Sequence, residues 1–111
     1  MREIHLYADY AWWPVWEYCE EDGHTYKEDF DPTNLPISVE LAQQLNDWAD
    51  AYDKTLDQSY PPDSGFPTQE DALEFAERGV ELGKKLQDEL GPEFKVIVDF
   101  TADDFAEYVR K

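Results

Sequence analysis

At 111 residues, with 41% hydrophobic and 15% aromatic side chains, the chain is large enough for one core, which argues against disorder. Its net charge of −18 and pI near 4.1 repel nucleic acid and anionic membranes, and they fit either binding of basic proteins or high solubility alone. The single cysteine excludes an intramolecular disulfide, and neither a signal peptide nor a membrane span is visible, so we expect a soluble, cytoplasmic protein.

The N-terminal third is predicted to form the strands of a small sheet. Residues 2–10 alternate apolar and polar side chains with a period of two, which is typical of a half-buried strand. Residues 15–20 are predicted to form a second strand, antiparallel to the first. Asp22-Gly23 then offers a turn, and residues 24–32 form either a short edge strand or an irregular return.

A first long helix is predicted to begin after Ser38, which is a suitable N-cap residue. Its apolar side chains fall on one helical stripe. The stripe consists of Leu41, Leu45, Trp48, Ala49, Tyr52 and Leu56. The other side is polar and mostly acidic, with Glu40, Gln43, Gln44, Asp47, Asp50, Asp53 and Asp57.

The stretch from Tyr52 to Phe66 begins as the end of this helix and finishes in a loop that is unusually stiff and apolar for a connection. Pro61 and Pro62 cannot continue a helix, and Gly65 permits a left-handed turn. Tyr60 and Phe66 flank these residues, so we expect the loop to fold back until both rings cover the core.

A second long helix is predicted to be capped by Thr68, with acidic residues in its first turn. Its apolar side comprises Ala72, Phe75, Ala76, Gly79, Leu82, Gly83, Leu86 and Leu90. Glycine costs about 1 kcal/mol against alanine inside a helix. We therefore expect the first helix, through Trp48 or Tyr52, to approach closely at Gly79 and Gly83.

The C-terminal part is predicted to contain one strand and one short helix. Gly91-Pro92 ends the second long helix, and the β-branched run at 94–100 is typical of a central strand. A final helix over 102–109 follows. The predicted fold class is α+β: one domain over residues 1–111, with a small, mostly antiparallel sheet packed on one face by an antiparallel helix hairpin, and a short C-terminal helix.

Catalytic motifs are absent from the sequence. His5 and His24 lack a metal-ligand spacing, and the acidic clusters lack the spacing of a calcium loop. Cys19 lies in an alternating strand, where a packed side chain is favoured over a nucleophile. We therefore predict no catalytic residue, no metal ion and no cofactor. A small enzyme that uses His5, Cys19 or an acid pair remains an alternative.

The segment 12–31 combines three tryptophans with many acids, and aromatic anchors ringed by charge are typical of protein interfaces. We interpret Trp16 as a core residue. The sequence leaves open whether Trp12 and Trp13 pack inside or bind a partner, although in a strand at most one of them would point into the core.

The acidic side of the first helix is the second candidate interface, because its like-charge repulsion would be relieved by a cationic partner. A merely solvated face is the competing interpretation. The predicted partner-binding residues on both features are Trp12, Trp13, Glu17, Glu20, Glu21, Asp22, Asp29, Asp47, Asp50 and Asp57.

Three stretches carry a family resemblance: "VWEYCEEDG", "ISVELAQQLNDWADAYDKTLD" and "YPPDSGFPTQEDALEFAERGVELGKKLQDELGPEFKVIV". Over about residues 13–100 the chain resembles small acidic bacterial immunity proteins, which are encoded beside the polymorphic toxins of interbacterial competition. The matching residues look structural and are expected to hold the helix hairpin to the sheet. They include Tyr52, Leu56, Ser64, Gly65 and Phe66.

The resemblance implies a non-enzymatic immunity protein that binds a cognate toxin domain with a basic surface and covers its active or substrate-binding site. A nuclease or a nucleotide-consuming toxin is the favoured partner, because such toxins carry basic clefts. The alternative is a phage-type inhibitor that mimics nucleic acid. With nine basic residues among twenty-seven acids, we predict no direct contact with nucleic acid or membrane. The oligomeric state stays open.

Overall fold

The structure, a computed structural model, describes residues 2–9, 12–55, 65–106 and 109. It confirms the predicted α+β class and the order of the elements along the chain. The elements are β1 (Arg2–Leu6), β2 (Val15–Glu21), β3 (His24–Phe30), a short 3-10 helix (Pro32–Asn34), α1 (Val39–Asp53), α2 (Gln69–Leu90), β4 (Phe94–Val98) and α3 (Ala102–Ala106).

Among the described residues, four strands form one sheet in the order β3-β2-β1-β4. β1 and β3 both run antiparallel to β2, whereas β4 runs parallel to β1, so the sheet is mostly antiparallel as predicted. Asp22 and Gly23 have φ angles of 51° and 80° and join β2 to β3. Positive φ at both positions matches the twist of a tight hairpin, and β3 is accordingly a regular edge strand rather than an irregular return.

The central position predicted for the last strand is wrong, because β4 lies at the edge of the sheet. Its apolar composition has another cause: α2 returns the chain beside β1 and covers one face of β4, where Val96 and Val98 are partly buried. The side chain of Gln87 occupies the outer edge of β4. Its Nε2 donates to the carbonyl of Phe94 at 2.9 Å, and its Oε1 accepts from the Val96 N–H at 2.8 Å.

Both predicted helix caps are confirmed. Ser38 Oγ accepts a hydrogen bond from the Leu41 N–H at 3.1 Å, and Thr68 Oγ1 accepts one from the Asp71 N–H at 3.1 Å. Each bond supplies an acceptor to a backbone N–H group of the first turn, which has no carbonyl partner within the helix.

α1 and α2 form the predicted antiparallel hairpin. At one end, Ser38 donates from its N–H and its Oγ to the carboxylate of Glu89, at 2.6 and 3.0 Å. Further along, Trp48 Nε1 donates to the carbonyl of Phe75 at 2.9 Å. The start of α1 therefore meets the end of α2, while the middle of α1 meets the first half of α2.

The eight residues predicted for the apolar side of α2 are all buried. A Cβ atom on Gly79 would lie 2.5 Å from Phe100 Cζ and 2.6 Å from Trp48 Cζ2, which confirms the close approach of α1 at this position. At Gly83 the prediction is wrong: the nearest atoms are Val98 Cγ2 at 2.8 Å and a Leu6 methyl carbon at 3.5 Å. Gly83 therefore lets α2 approach the sheet.

The region after α1 is confirmed in part. Phe66 is buried, and its ring lies 6.2 Å from that of Tyr52 and 5.1 Å from that of Phe75. Predictions for Leu56, Asp57, Tyr60, Pro61, Pro62 and Ser64 fall outside the described residues.

Several predicted boundaries are wrong. α1 ends at Asp53, before Leu56, and β4 ends at Val98 rather than at residue 100. β1 ends at Leu6 rather than near residue 10, although Ala8 is still buried. α3 ends at Ala106 rather than at 109, since Val109 forms a parallel bridge with Phe66 and so has an extended backbone. The buried residue of α3, Phe105, fills the core between the helices as the apolar pattern predicts.

Candidate functional site

The four tryptophans divide into two buried and two exposed residues. Trp16 and Trp48 are 5% and 4% exposed. Trp48 lies in the core, whereas Trp16 is buried on the other face of the sheet, between His5, Tyr18 and Lys27, so it is buried as predicted but is not part of the main core. Trp12 and Trp13 are 38% and 44% exposed. Both lie in the loop before β2, so the alternation of a strand does not constrain them, and both rings reach the surface.

A first cleft, of about 480 Å³, lies between this tryptophan pair and α1. We call it the helix-side cleft; it is lined by Trp12, Trp13, Pro14, Asn46, Ala49, Asp50 and Asp53. The Trp13 N–H donates to Asp29 Oδ2 at 2.8 Å, which fixes the loop against β3. The fold thus brings Trp12, Trp13, Asp29 and Asp50 together, although they are far apart in the sequence.

A second cleft, of about 440 Å³, lies on the sheet face that is turned away from the helices. We call it the sheet-face cleft; it is lined by Tyr7, Asp9, Trp12, Trp16, Tyr18, Lys27 and Asp99. Trp12 lines both clefts, so they form one continuous surface that runs from the sheet around to α1.

Aromatic rings pack closely within the sheet-face cleft. Trp16 stacks on His5 with 4.0 Å between ring centroids, and Tyr18 lies edge-on to Trp16 at 4.9 Å. Lys27 Nζ lies 4.7 Å from the centroid of the Trp16 ring, within the range of a cation–π contact. His5 Nδ1 is 2.8 Å from Asp99 Oδ2, and this hydrogen bond holds the carboxylate in place.

Ionisation of Tyr7 is disfavoured at the rim of the same cleft. Burial raises the pKa of its phenol, and the nearby carboxylates of Asp9, Asp104 and Asp99 raise that pKa further. The phenol therefore stays neutral and keeps its proton as a hydrogen-bond donor at physiological pH.

A family model described as Serratia CdiI immunity protein-like matches residues 2–100, which include all four strands and both long helices. The chain belongs to the Serratia CdiI immunity protein-like family. It is a toxin-neutralising immunity protein of the kind associated with contact-dependent inhibition toxins, and the sequence resemblance is confirmed. Its partner is a cognate toxin. A comparison with curated proteins finds no match.

The other predicted binding residues of this immunity protein are dispersed. Glu20, Glu21 and Asp22 are exposed at the tip of the β2–β3 hairpin. Asp47 is exposed too, but it lines a separate groove between α1 and α2 and accepts a hydrogen bond from Gln43 Nε2 at 2.8 Å. Asp57, discussed above, lies outside the described residues.

Glu17 differs from the other acids, because Arg2 already neutralises it. The Nε and a terminal nitrogen of Arg2 donate to the two carboxylate oxygens of Glu17, both at 2.8 Å. This bidentate bond raises the pKa of the guanidinium. The pair ties β1 to β2, so Glu17 offers a toxin less charge than the acids at the hairpin tip.

The sequence prediction missed Tyr7, Tyr18, Lys27 and Asp99 as members of the surface. A signal for two of them was present: the period of two in β2 places Tyr18 beside Trp16, and the register set by the Asp22-Gly23 turn places Lys27 opposite Tyr18. Asp99 joins them only through the parallel pairing of β4 with β1, which the sequence pattern did not predict.

The surroundings of Cys19, which was considered as a nucleophile, do not favour catalysis. The Cys19 thiol donates to Glu28 Oε2 at 3.2 Å, and this bond raises the pKa of the thiol, which opposes formation of a nucleophilic thiolate. In the described ranges, no three histidine, cysteine or acidic side chains are grouped so that they could hold a metal ion. None of the described helices has both the length and the apolar character needed to cross a membrane.

Proposed function

We propose that this immunity protein neutralises its toxin by covering the toxin's active or substrate-binding site with the surface centred on Trp12 and Trp13. The observation that carries the proposal is the exposure of both indoles beside the carboxylates of Asp29 and Asp50. Large aromatic anchors contribute much of the energy of protein interfaces, and surrounding polar groups set their orientation.

Charge supports a basic partner. The net charge of −18 and the exposed acids at the hairpin tip attract a positively charged surface over a long range. α2 carries further acids, but its exposed side also carries Arg78, Lys84 and Lys85. The β2–β3 hairpin and α1 therefore offer the more uniformly negative surface. Nucleases and nucleotide-consuming toxins present such basic clefts and are the proposed partner class.

Family membership favours toxin immunity over the phage-type nucleic-acid mimic. The proposed mode of action is non-catalytic and takes place in the cytoplasm, where a toxin that attacks nucleic acid or nucleotides would act. It needs no cofactor and no direct contact with nucleic acid or membrane.

The test uses the toxin domain encoded beside this gene and the variant Trp13→Ala. We expect loss of this aromatic anchor to raise the dissociation constant about tenfold or more, with calorimetry as the measurement. Leu73→Ala, at an exposed apolar position of α2, is the matched control and leaves affinity unchanged. We expect the wild-type protein to abolish toxin activity at a one-to-one ratio and to compete with the toxin's substrate.

Two results would contradict the proposal. Equal affinity of the Trp13→Ala and Leu73→Ala variants would place the interface elsewhere on the molecule. Neutralisation of the toxin without competition against its substrate would exclude occlusion of the active or substrate-binding site.

A further inference from the structure

The sheet-face cleft is lined by aromatic side chains that are not part of the helix-side cleft. Val15 is fully buried against the helices, so the alternation of β2 turns Trp16 and Tyr18 to the opposite face of the sheet. Tyr18 is 55% exposed, and Tyr7 and Trp12 are also exposed at the rim. Three exposed aromatic side chains thus converge on one cleft in a strongly acidic protein.

This cleft already holds a cation. Lys27 stands opposite Tyr18 in the β2–β3 ladder, and its Nζ lies 4.7 Å from the Trp16 ring centroid. A lysine on an exposed strand is otherwise free to extend into water, where an ammonium group is well hydrated. Its position over the ring is a cation–π contact, so a positive charge already occupies the electron-rich face of Trp16.

A carboxylate lies within the same cleft. His5 Nδ1 holds Asp99 Oδ2 at 2.8 Å, and His5 itself is fixed by its stacking on Trp16. A fixed carboxylate beside aromatic rings matches the guanidinium group, which donates in a planar fork to carboxylates and stacks on rings. A phosphate-bearing or acidic ligand would instead meet the carboxylates of Asp9 and Asp99.

We propose that the sheet-face cleft receives an arginine side chain of the toxin, which takes the place of the Lys27 ammonium beside Trp16 and Tyr18. The inference rests on the proposed function and adds the chemistry of one contact. Arginine displaces lysine because its guanidinium combines stacking with a forked bond to Asp99, whereas the ammonium of Lys27 supplies a single point charge. Lys27 is thus a competitor of the partner.

The first experiment tests the cleft without the toxin. ¹⁵N-labelled protein is titrated with N-acetyl-arginine amide and, separately, with the uncharged isostere N-acetyl-citrulline amide, and NMR shifts are followed for the Trp12 and Trp16 indole N–H groups. We expect arginine alone to shift these signals. Tyr18→Phe keeps the response and Tyr18→Ala weakens it, while Lys27→Gln strengthens it. Equal shifts with citrulline, or no shift in the cleft, would overturn the inference.

The second experiment measures toxin affinity. We expect Tyr18→Ala to raise the dissociation constant about fivefold and Lys27→Gln to lower it about two- to fivefold, the size of an exposed cation–π contact. Tyr26→Ala is the matched control, because Tyr26 is an exposed tyrosine on the opposite face of the same hairpin. A gain of affinity on removing Lys27 distinguishes competition from damage to the fold.

The outcomes separate the two proposals. If Trp13→Ala weakens toxin binding while Tyr18→Ala and Lys27→Gln leave it unchanged, the arginine site is wrong and the proposed function stands. If the wild-type protein does not bind the toxin at all, the proposed function falls, and the titration with arginine and citrulline still decides whether the cleft is a guanidinium receptor.

Discussion

At the scale of single residues, Gly79 shows how tightly the two long helices approach each other. A Cβ atom there would lie 2.5 Å from Phe100 Cζ and 2.6 Å from Trp48 Cζ2, closer than carbon atoms pack. The rings of Trp48 and Phe100 are themselves held by packing, at 5.5 Å between centroids. The absence of a side chain at this position is therefore a requirement of the packing.

We expect Gly79→Ala to destabilise the protein by about 1–2 kcal/mol, because overpacking outweighs the gain in helix propensity. Urea denaturation monitored by tryptophan fluorescence measures the change. Gly83→Ala is expected to cost less, since a new Cβ meets one atom closer than 3 Å there instead of three. Val80→Ala, at the neighbouring exposed position, serves as a control. A Gly79→Ala variant as stable as wild type would refute the packing argument.

At the scale of elements, the bond from Ser38 to Glu89 joins the first turn of α1 to the last turn of α2. Ser38 has two roles, because its Oγ accepts from the Leu41 N–H while its N–H and hydroxyl donate to the Glu89 carboxylate. A carboxylate at the C-terminal end of a helix is unfavourable with respect to the helix dipole. The bonds to Ser38 offset that unfavourable position.

Glu89→Ala is expected to lower the free energy of unfolding by about 1 kcal/mol, the contribution of charge-assisted hydrogen bonds reduced by solvent exposure. The control is Asp88→Ala, which removes an exposed acid from the same turn and relieves the same unfavourable interaction with the dipole. The difference in thermal stability between the two variants measures the contribution of the bonds between Ser38 and Glu89. If the two variants have equal melting temperatures, the contact between the helices contributes nothing to stability.

At the scale of the whole molecule, the net charge of −18 sets how fast a basic partner is found. Long-range attraction is screened over about 10 Å at 0.1 M salt, so it acts mainly on association. In the proposed interface, the aromatic contacts of Trp12 and Trp13 with the toxin are expected to act mainly on dissociation.

We therefore expect the association rate with the toxin to fall at least about tenfold as salt rises from about 0.05 to 0.5 M, with little change in the dissociation rate. Stopped-flow measurements give both rates. Trp13→Ala should raise the dissociation rate and keep the same salt dependence of association, whereas Asp50→Asn should slow association at low salt. An association rate that is independent of salt would exclude electrostatic steering.

Local sequence patterns predicted the helices, their caps and the buried side of α2, because each of these depends on residues within a few turns. The pairing of strands that are distant in the sequence was harder to predict. The β-branched run of β4 is compatible with a central strand and with an edge strand covered by a helix, and only the parallel pairing with β1 decides.

The same limit applies to the candidate site. Composition marked Trp12 and Trp13 as candidates but left their exposure open. The sheet-face cleft depends on which face of the sheet the helices cover, and that choice involves the whole fold. Asp99 and Tyr7 come from opposite ends of the chain and meet only there. Helical periodicity predicted that the acids of α1 share one side of the helix, but the structure places Asp47 and Asp50 in different clefts and the acids of the β2–β3 hairpin tip elsewhere on the surface.

The Gln87 side chain has a consequence for assembly. Its amide satisfies the carbonyl of Phe94 and the N–H of Val96 in the manner of a neighbouring peptide group, so β4 presents fewer open backbone groups to an incoming chain. A strand added from another polypeptide would have to displace this side chain first. Growth of the sheet by β-addition is therefore disfavoured on the β4 side and directed toward β3, where the Asp22-Gly23 hairpin and its acids select against negatively charged strands.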